Sequence, residues 1–172
     1  MPSNRDFASS RRAIETALSY CAARDAILIV TDNSGDAAKK NHWKNRSPHL
    51  LYLETPGTGA SDNFLAAFRR AETPFVMPMG DDDEILIHPA FPAFDLATLP
   101  DDHIGVRPVT HVWLPATGKG RIKEFAIAGE TPAERIMEYN NAAKGENSAY
   151  YSIFRRQIYL GMMELFNRHH PT

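Results

Sequence analysis

The sequence predicts an α/β protein with an open, mostly parallel sheet, flanking helices and a smaller β/α region at the C-terminal end. Three observations carry this expectation. Helix-like and strand-like patterns alternate through the first hundred residues, the signature of strands joined by crossover helices. The strand-like runs are short and apolar on both faces, as in sheets covered on each side. Each run then ends abruptly in polar, acidic or glycine-bearing sequence, most sharply at Pro74 to Glu84, where an apolar stretch runs into four consecutive acids.

Taken in order, Ile14, Ala17, Leu18 and Cys21 recur at helical spacing after Ser9 and Ser10, predicting a helix over about 10–23 that those serines cap. Residues 26–31, Ala-Ile-Leu-Ile-Val-Thr, read as a buried strand closed by the turn residues Asp32 to Asp36. A short polar helix follows through Trp43, then a strand over 50–53. The glycine-bearing loop 54–60 leads into a helix over 61–71, with Phe64, Leu65 and Phe68 on its inner face. Phe75 to Met79 form the next expected strand. Beyond Asp102 the texture changes: strands are expected over 106–114 and 121–127, joined through 115–120 as a hairpin or a short excursion. Thr131, Pro132 and Glu134 form a capping box with proline at the first helical position, starting a helix to about Asn141. A strand over 149–154 and a helix from near Arg156 complete the series. The chain thus divides into residues 1–102, an α/β half, and residues 103–172, a β/α region of the same domain.

At 172 residues and 43% hydrophobic content the chain can bury one real core. A formal charge of −2 argues against a general nucleic-acid binder, but the charge is unevenly spread. Residues 71–106 hold no Lys or Arg and eight acids, whereas ten of the nineteen basic residues precede Glu72. The single cysteine, Cys21, excludes an internal disulfide and suits a reducing compartment. Its helical neighbours make it a core filler. No apolar run reaches membrane-spanning length and no signal-peptide pattern opens the chain, so a cytoplasmic protein, at most peripheral to a membrane, is expected.

In open α/β sheets ligands bind beyond the carboxyl ends of the strands. Asp32, the Gly57–Gly59 loop and Asp81 to Asp83 all follow strands and should converge on one rim. Three adjacent carboxylates repel one another and call for a positive partner. Hard oxygen donors suit Mg²⁺ or Mn²⁺, which one or two carboxylates commonly hold together with substrate phosphates. A solvated acidic loop is the plain alternative. Asp32 alone reads equally as a turn or helix cap. No GxGxxG or P-loop surrounds Gly57 and Gly59, and no HExxH motif or paired spacing points to Zn²⁺. His88 and His111 are ordinary histidines unless the fold brings one to the acids. Arg69 and Arg70 suit a helix C-terminus, while Tyr150, Tyr151, Phe154 and Tyr159 suit a core.

The ordered set of motifs resembles glycosyltransferase family 2. Pro2-Ser3-Asn4-Arg5 is similar to the turn that ends the family's first strand, and Thr31-Asp32-Asn33-Ser34 to the end of its second. Gly57 to Asn63 resembles its glycine-bearing loop and Asn-containing helix, Met79 to Asp83 its Asp-x-Asp signature, and Tyr151 to Arg156 its strand running into an arginine pair. The resemblance implies a GT-A-like fold, with residues 1–102 binding a nucleotide-sugar and residues 103–172 on the acceptor side. It implies transfer of a sugar from a nucleotide-diphospho-sugar to a glycan, lipid or other acceptor. Mg²⁺ or Mn²⁺ would be held by Asp83 and Asp81. Asn4, Arg5, Asp32, Asp81 and Asp82 would contact the donor. The family's first strand should precede Pro2 and its general base should follow the arginine pair. The resemblance therefore implies a chain truncated at both ends. Glu146, just before the strand over 149–154, reads first as a surface acid of a helix or loop and second as an internal base. An exposed edge beside residues 26–31 would favour association with another copy. A nucleotidyltransferase is a second enzymatic reading, disfavoured because residues 4–7 hold no glycine. A non-catalytic nucleotide-sugar-binding fragment is a third.

Overall fold

A computed structural model describes residues 1–89, 92–114, 117–123, 126–144 and 148–169. Strand β1 is short, Pro2–Ser3, and runs directly into helix α1, Phe7–Ala23. The cap of α1 is Asp6, not the expected Ser9–Ser10 pair. Asp6 takes an extended conformation and its carboxylate accepts from the Ser9 amide at 2.8 Å, satisfying an amide the helix itself leaves open. Ser10 is instead buried inside the first turn, where its hydroxyl donates to the Asp6 carbonyl.

Strand β2, Leu28–Asp32, lies at the centre of a three-stranded parallel sheet between β1 and β3, Leu50–Glu54. The expected exposed edge beside residues 26–31 is thus corrected: β1 pairs there with Thr31 and Asp32. The register sets Ser3 beside Asp32, and Asp32 beside Glu54, so all three strands end together. Helix α2, Ala37–Trp43, crosses between β2 and β3, and α3, Ala60–Arg70, follows β3. Asp36 accepts from the amides of Ala38 and Lys39 at the start of α2 and from the Phe7 amide at 2.8 Å, pinning the starts of two helices to one carboxylate. Buried Ile14, Ala17 and Cys21 of α1 pack with Leu28, Val30, Trp43 and Met79 in the main core. Burial pushes the Cys21 thiol up to about 11, as befits a core side chain.

The expected strand over Phe75 to Met79 is corrected. Strand β4 spans only Phe75–Val76 and belongs to a second, antiparallel sheet. Pro78 has no amide hydrogen to give a ladder, and residues 77–80 continue without strand pairing. The acids therefore do not cap a central strand of the parallel sheet; a buried Pro78–Met79 stretch delivers them instead. The expected strand over 106–114 is divided at Pro108, which has no amide hydrogen to give a ladder. Strand β5, Gly105–Val106, pairs in the second sheet, and β6, Thr110–Leu114, forms a hairpin with β7, which spans Lys119–Lys123 rather than the expected 121–127. Helix α4, Pro132–Ala143, opens with both halves of its capping box formed, as the sequence predicts. The expected strand over 149–154 is also corrected: a 3₁₀ turn occupies Ser148–Tyr151, and β8 covers Ile153–Arg155. In the second sheet β8 lies between β4 and β5, and α5, Arg156–His169, follows it. Phe64 and Phe68 of α3 meet Tyr159 of α5 in a second core. Among the described residues no helix is long and apolar enough to cross a membrane.

Candidate active site

The common rim of β1, β2 and β3 carries a continuous chain of hydrogen-bonded charges. It starts at Asp32, the last residue of β2, whose side chain is 3% exposed. Its Oδ1 accepts from the Ser34 amide at 3.1 Å and from Lys39 Nζ at 2.9 Å. Its Oδ2 accepts from the Ser34 hydroxyl at 3.1 Å and from the Tyr52 hydroxyl. Burial alone would raise this carboxyl, but the bonds from Tyr52, Lys39 and Ser34 together hold it below the ordinary carboxylate range. The same burial and the Asp32 partnership push the Tyr52 phenol up, so it stays a neutral donor.

Lys39 sits on the first turns of α2 and its side chain is fully buried. Besides Asp32, its ammonium donates to the Ser3 hydroxyl and, at 2.8 Å, to the Arg5 carbonyl. Ser3 passes the connection on: its hydroxyl donates to Asp81 Oδ2 at 2.6 Å. That oxygen also takes the amides of Asn4 and Arg5 at 3.3 Å, while Arg5 Nε reaches Asp81 Oδ1 at 3.2 Å. Asp32 and the acid cluster, 49 residues apart in sequence, are thus joined through two side chains.

The three adjacent acids have different employment. Asp81 is 7% exposed and uses both oxygens on the Ser3–Arg5 turn, which changes the expectation of it as a ready metal ligand. Asp82 is half exposed and takes a 2.6 Å bond from the Arg5 guanidinium. Asp83 accepts from the Tyr151 hydroxyl at 2.7 Å. Burial, outweighing that bond, and the neighbouring Asp82 and Asp81 charges push the Asp83 carboxyl above its ordinary value. Gly80 makes the crowding possible. A Cβ there would stand 2.7 Å from Asp83 Oδ2 and 2.8 Å from Asp82 Oδ1, so two carboxylate oxygens converge over its open face.

The glycine loop joins the same rim: Asn33 Nδ2 donates to the Thr58 carbonyl at 2.9 Å. The Asn33 Oδ1 is buried without a hydrogen-bond partner among the described residues.

Lys39, Tyr52 and Tyr151 were not singled out by sequence as site residues. Lys39 reads as one charge on a short polar helix, and only the approach of α2 to the β1 turn exposes its role. Tyr52 gives no signal beyond its place on a strand. Tyr151, expected in the core, turns its hydroxyl to Asp83. Of the remaining candidates, His111 lies on the β6–β7 hairpin beside Trp113, Arg69 pairs with Glu164 across α3 and α5, and Glu146 lies outside the described residues. Among the described residues no group of three His, Cys, Asp or Glu side chains is posed to hold a metal.

No curated protein and no solved structure shows a significant similarity to the sequence. The sequence does match the model of Glycosyl transferase family 2, which implies glycosyltransferase activity, a nucleotide-sugar donor and an acceptor. The match covers residues 4–159 of the 172, from the Asn4–Arg5 turn through the acid cluster to α5, and the chain belongs to glycosyltransferase family 2.

Proposed function

We propose that the chain binds a nucleotide-diphospho-sugar along this rim of a GT-A-like fold and transfers its sugar to an acceptor with the help of a divalent cation at the acid cluster. The observation that carries the reading is the bonded chain Asp32–Lys39–Ser3–Asp81, which puts a buried acceptor at one end and clustered carboxylates at the other. A donor of this kind has matching ends. Its nucleoside offers N–H and O–H donors, and its diphosphate is an anion that would be repelled by bare carboxylates without a cation between them.

The Asp82–Asp83 pair fits such a cation. Hard carboxylate oxygens converge over Gly80, the Asp83 carboxyl is held reluctant to ionise by its surroundings, and Mg²⁺ or Mn²⁺ needs only one or two protein carboxylates when phosphates supply the rest. Asp83 would be the principal ligand, with Asp82 beside it; Asp81 would join only if Arg5 swings away. When bound, the cation supplies charge for the leaving diphosphate as the glycosidic bond breaks. The chain's own residues do the rest. Asp32 and Asn33 frame the nucleoside end of the rim, Ser3 and Asp81 hold the Asn4–Arg5 turn in place, and Arg5, 46% exposed, offers its guanidinium to a phosphate. Tyr151 keeps Asp83 turned toward the rim.

Product analysis with a panel of radiolabelled nucleotide-sugars and Mn²⁺ tests this reading. Sugar transfer supports it, pyrophosphate release would favour a nucleotidyltransferase, and binding of nothing in the panel would overturn it.

A further inference from the structure

We infer that Lys39 is a positioning residue that fixes the separation between the nucleoside end and the diphosphate end of the rim, so that one ligand engages both at once. The inference rests on the donor-binding reading above. Lys39 is fully buried in a rim otherwise rich in carboxylates, and it touches three different segments: Asp32 at the end of β2, Ser3 on β1, and the Arg5 carbonyl on the turn into α1. An ammonium has three protons to donate, and Lys39 meets three acceptors. It therefore has no donor left over and would not itself reach a ligand.

What the ammonium does is geometric. Through Asp32 it anchors the end of β2. Through Ser3 and the Arg5 carbonyl it anchors the turn whose amides and guanidinium bond Asp81 and Asp82. Each end also has local support that does not pass through Lys39. Asp32 keeps its bonds from Ser34 and Tyr52, and Asp81 keeps its bonds from Ser3 and the turn amides. Loss of Lys39 should therefore leave the two ends individually formed but free to shift against each other. A ligand that spans both ends gains from their fixed spacing, because binding at one end holds the other group at high effective concentration. Separate fragments gain nothing from it.

This gives a readout that simple destabilisation would not produce. In wild type and Lys39→Met, affinities are measured by NMR titration for a nucleoside, for inorganic pyrophosphate with Mn²⁺, and for the matching nucleoside diphosphate with Mn²⁺. The base is the one that binds wild type best among ADP, GDP, CDP and UDP. Both fragments should bind the variant within about twofold of wild type, whereas the joined ligand should lose roughly tenfold or more. Where Lys39→Met does not fold, Lys39→Cys in a Cys21→Ala background, alkylated to the thioether analogue of lysine, is compared with the same protein carrying Lys39→Gln. The analogue should restore the advantage of the joined ligand and the glutamine should not. Equal loss for fragments and joined ligand, or none for either, would overturn the inference. Failure of wild-type protein to bind any nucleoside diphosphate would instead overturn the donor-binding reading on which it rests.

Discussion

Replacing Asp32 by Asn keeps the shape of the side chain and one carbonyl acceptor but removes its charge. The perturbation is severe because the partner cannot escape: the Lys39 side chain is 0% exposed and its ammonium would remain buried among neutral acceptors only, the Ser3 hydroxyl and the Arg5 carbonyl included. Breaking a buried ion pair by removing one partner costs about 3–5 kcal/mol, chiefly through the charge left behind. For a chain of this size that corresponds to a fall in Tm of roughly 6–20 °C. Lys39→Met should cost less, about 1–3 kcal/mol, since Asp32 still accepts from the Ser34 amide, the Ser34 hydroxyl and Tyr52. The double variant should then fall short of the summed singles by about 2–3 kcal/mol, because neither charge is stranded. Urea unfolding at neutral pH, with the slope unchanged across the set, measures all four corners of the cycle. The pH dependence has a definite sign. The folded-state carboxyl is held below its ordinary value, so its contribution is complete above the ordinary carboxylate range and is lost as pH falls through the lowered one. Wild type and Asp32→Asn should converge in acid. A cost below about 1 kcal/mol for Asp32→Asn, or additivity within about 0.5 kcal/mol, would refute the coupled-pair argument.

Two further outcomes follow from the acid cluster and the second core. Asp83→Asn should raise the Tm of metal-free protein at neutral pH, the opposite of Asp32→Asn, because the folded-state Asp83 carboxyl is pushed up and its ionisation opposes folding; the difference should vanish below the ordinary carboxylate range, where both states are protonated. A lowered neutral-pH Tm for Asp83→Asn would contradict this. Phe68 is 4% exposed, with ring centroids 4.7 Å from Phe64 and 5.0 Å from Tyr159, so Phe68→Ala should cost about 3–5 kcal/mol by calorimetry, and a loss under about 1 kcal/mol would mean that α3 and α5 do not share a core.

The sequence made the local rules legible and left the non-local ones hidden. The capping box at Thr131, the run at Leu50, the hairpin after Thr110 and the α3 face of Phe64, Leu65 and Phe68 all follow from neighbours within a turn or two. The grouping of Asp32 with the Asp81–Asp83 acids was expected from strand ends of one sheet, but the acids reach that rim from the Pro78–Met79 stretch and join Asp32 through Ser3 and Lys39. β4 departs from the expected strand because an apolar run looks alike whether it pairs in a parallel sheet or with Ile153–Arg155, far along the chain, and Pro78 shortens its ladder. Asp6 displaced Ser9 as the α1 cap through backbone geometry that the side-chain pattern does not encode. Lys39 and Tyr151 were missed for a common reason. A lysine on a polar helix and a tyrosine in an aromatic run look unremarkable until tertiary packing brings an acid within 3 Å of each.

Calorimetric titration of a nucleoside diphosphate in the presence and absence of Mn²⁺, on wild type, Asp83→Ala and Asp101→Ala, tests the central claim most directly. Asp101 is an exposed acid of the next acidic pair, 3.5 Å from Arg155, and serves as the control. The account predicts Mn²⁺-dependent binding in wild type and Asp101→Ala, and its loss in Asp83→Ala. Equal affinity in wild type and Asp83→Ala, or binding indifferent to Mn²⁺, would contradict it.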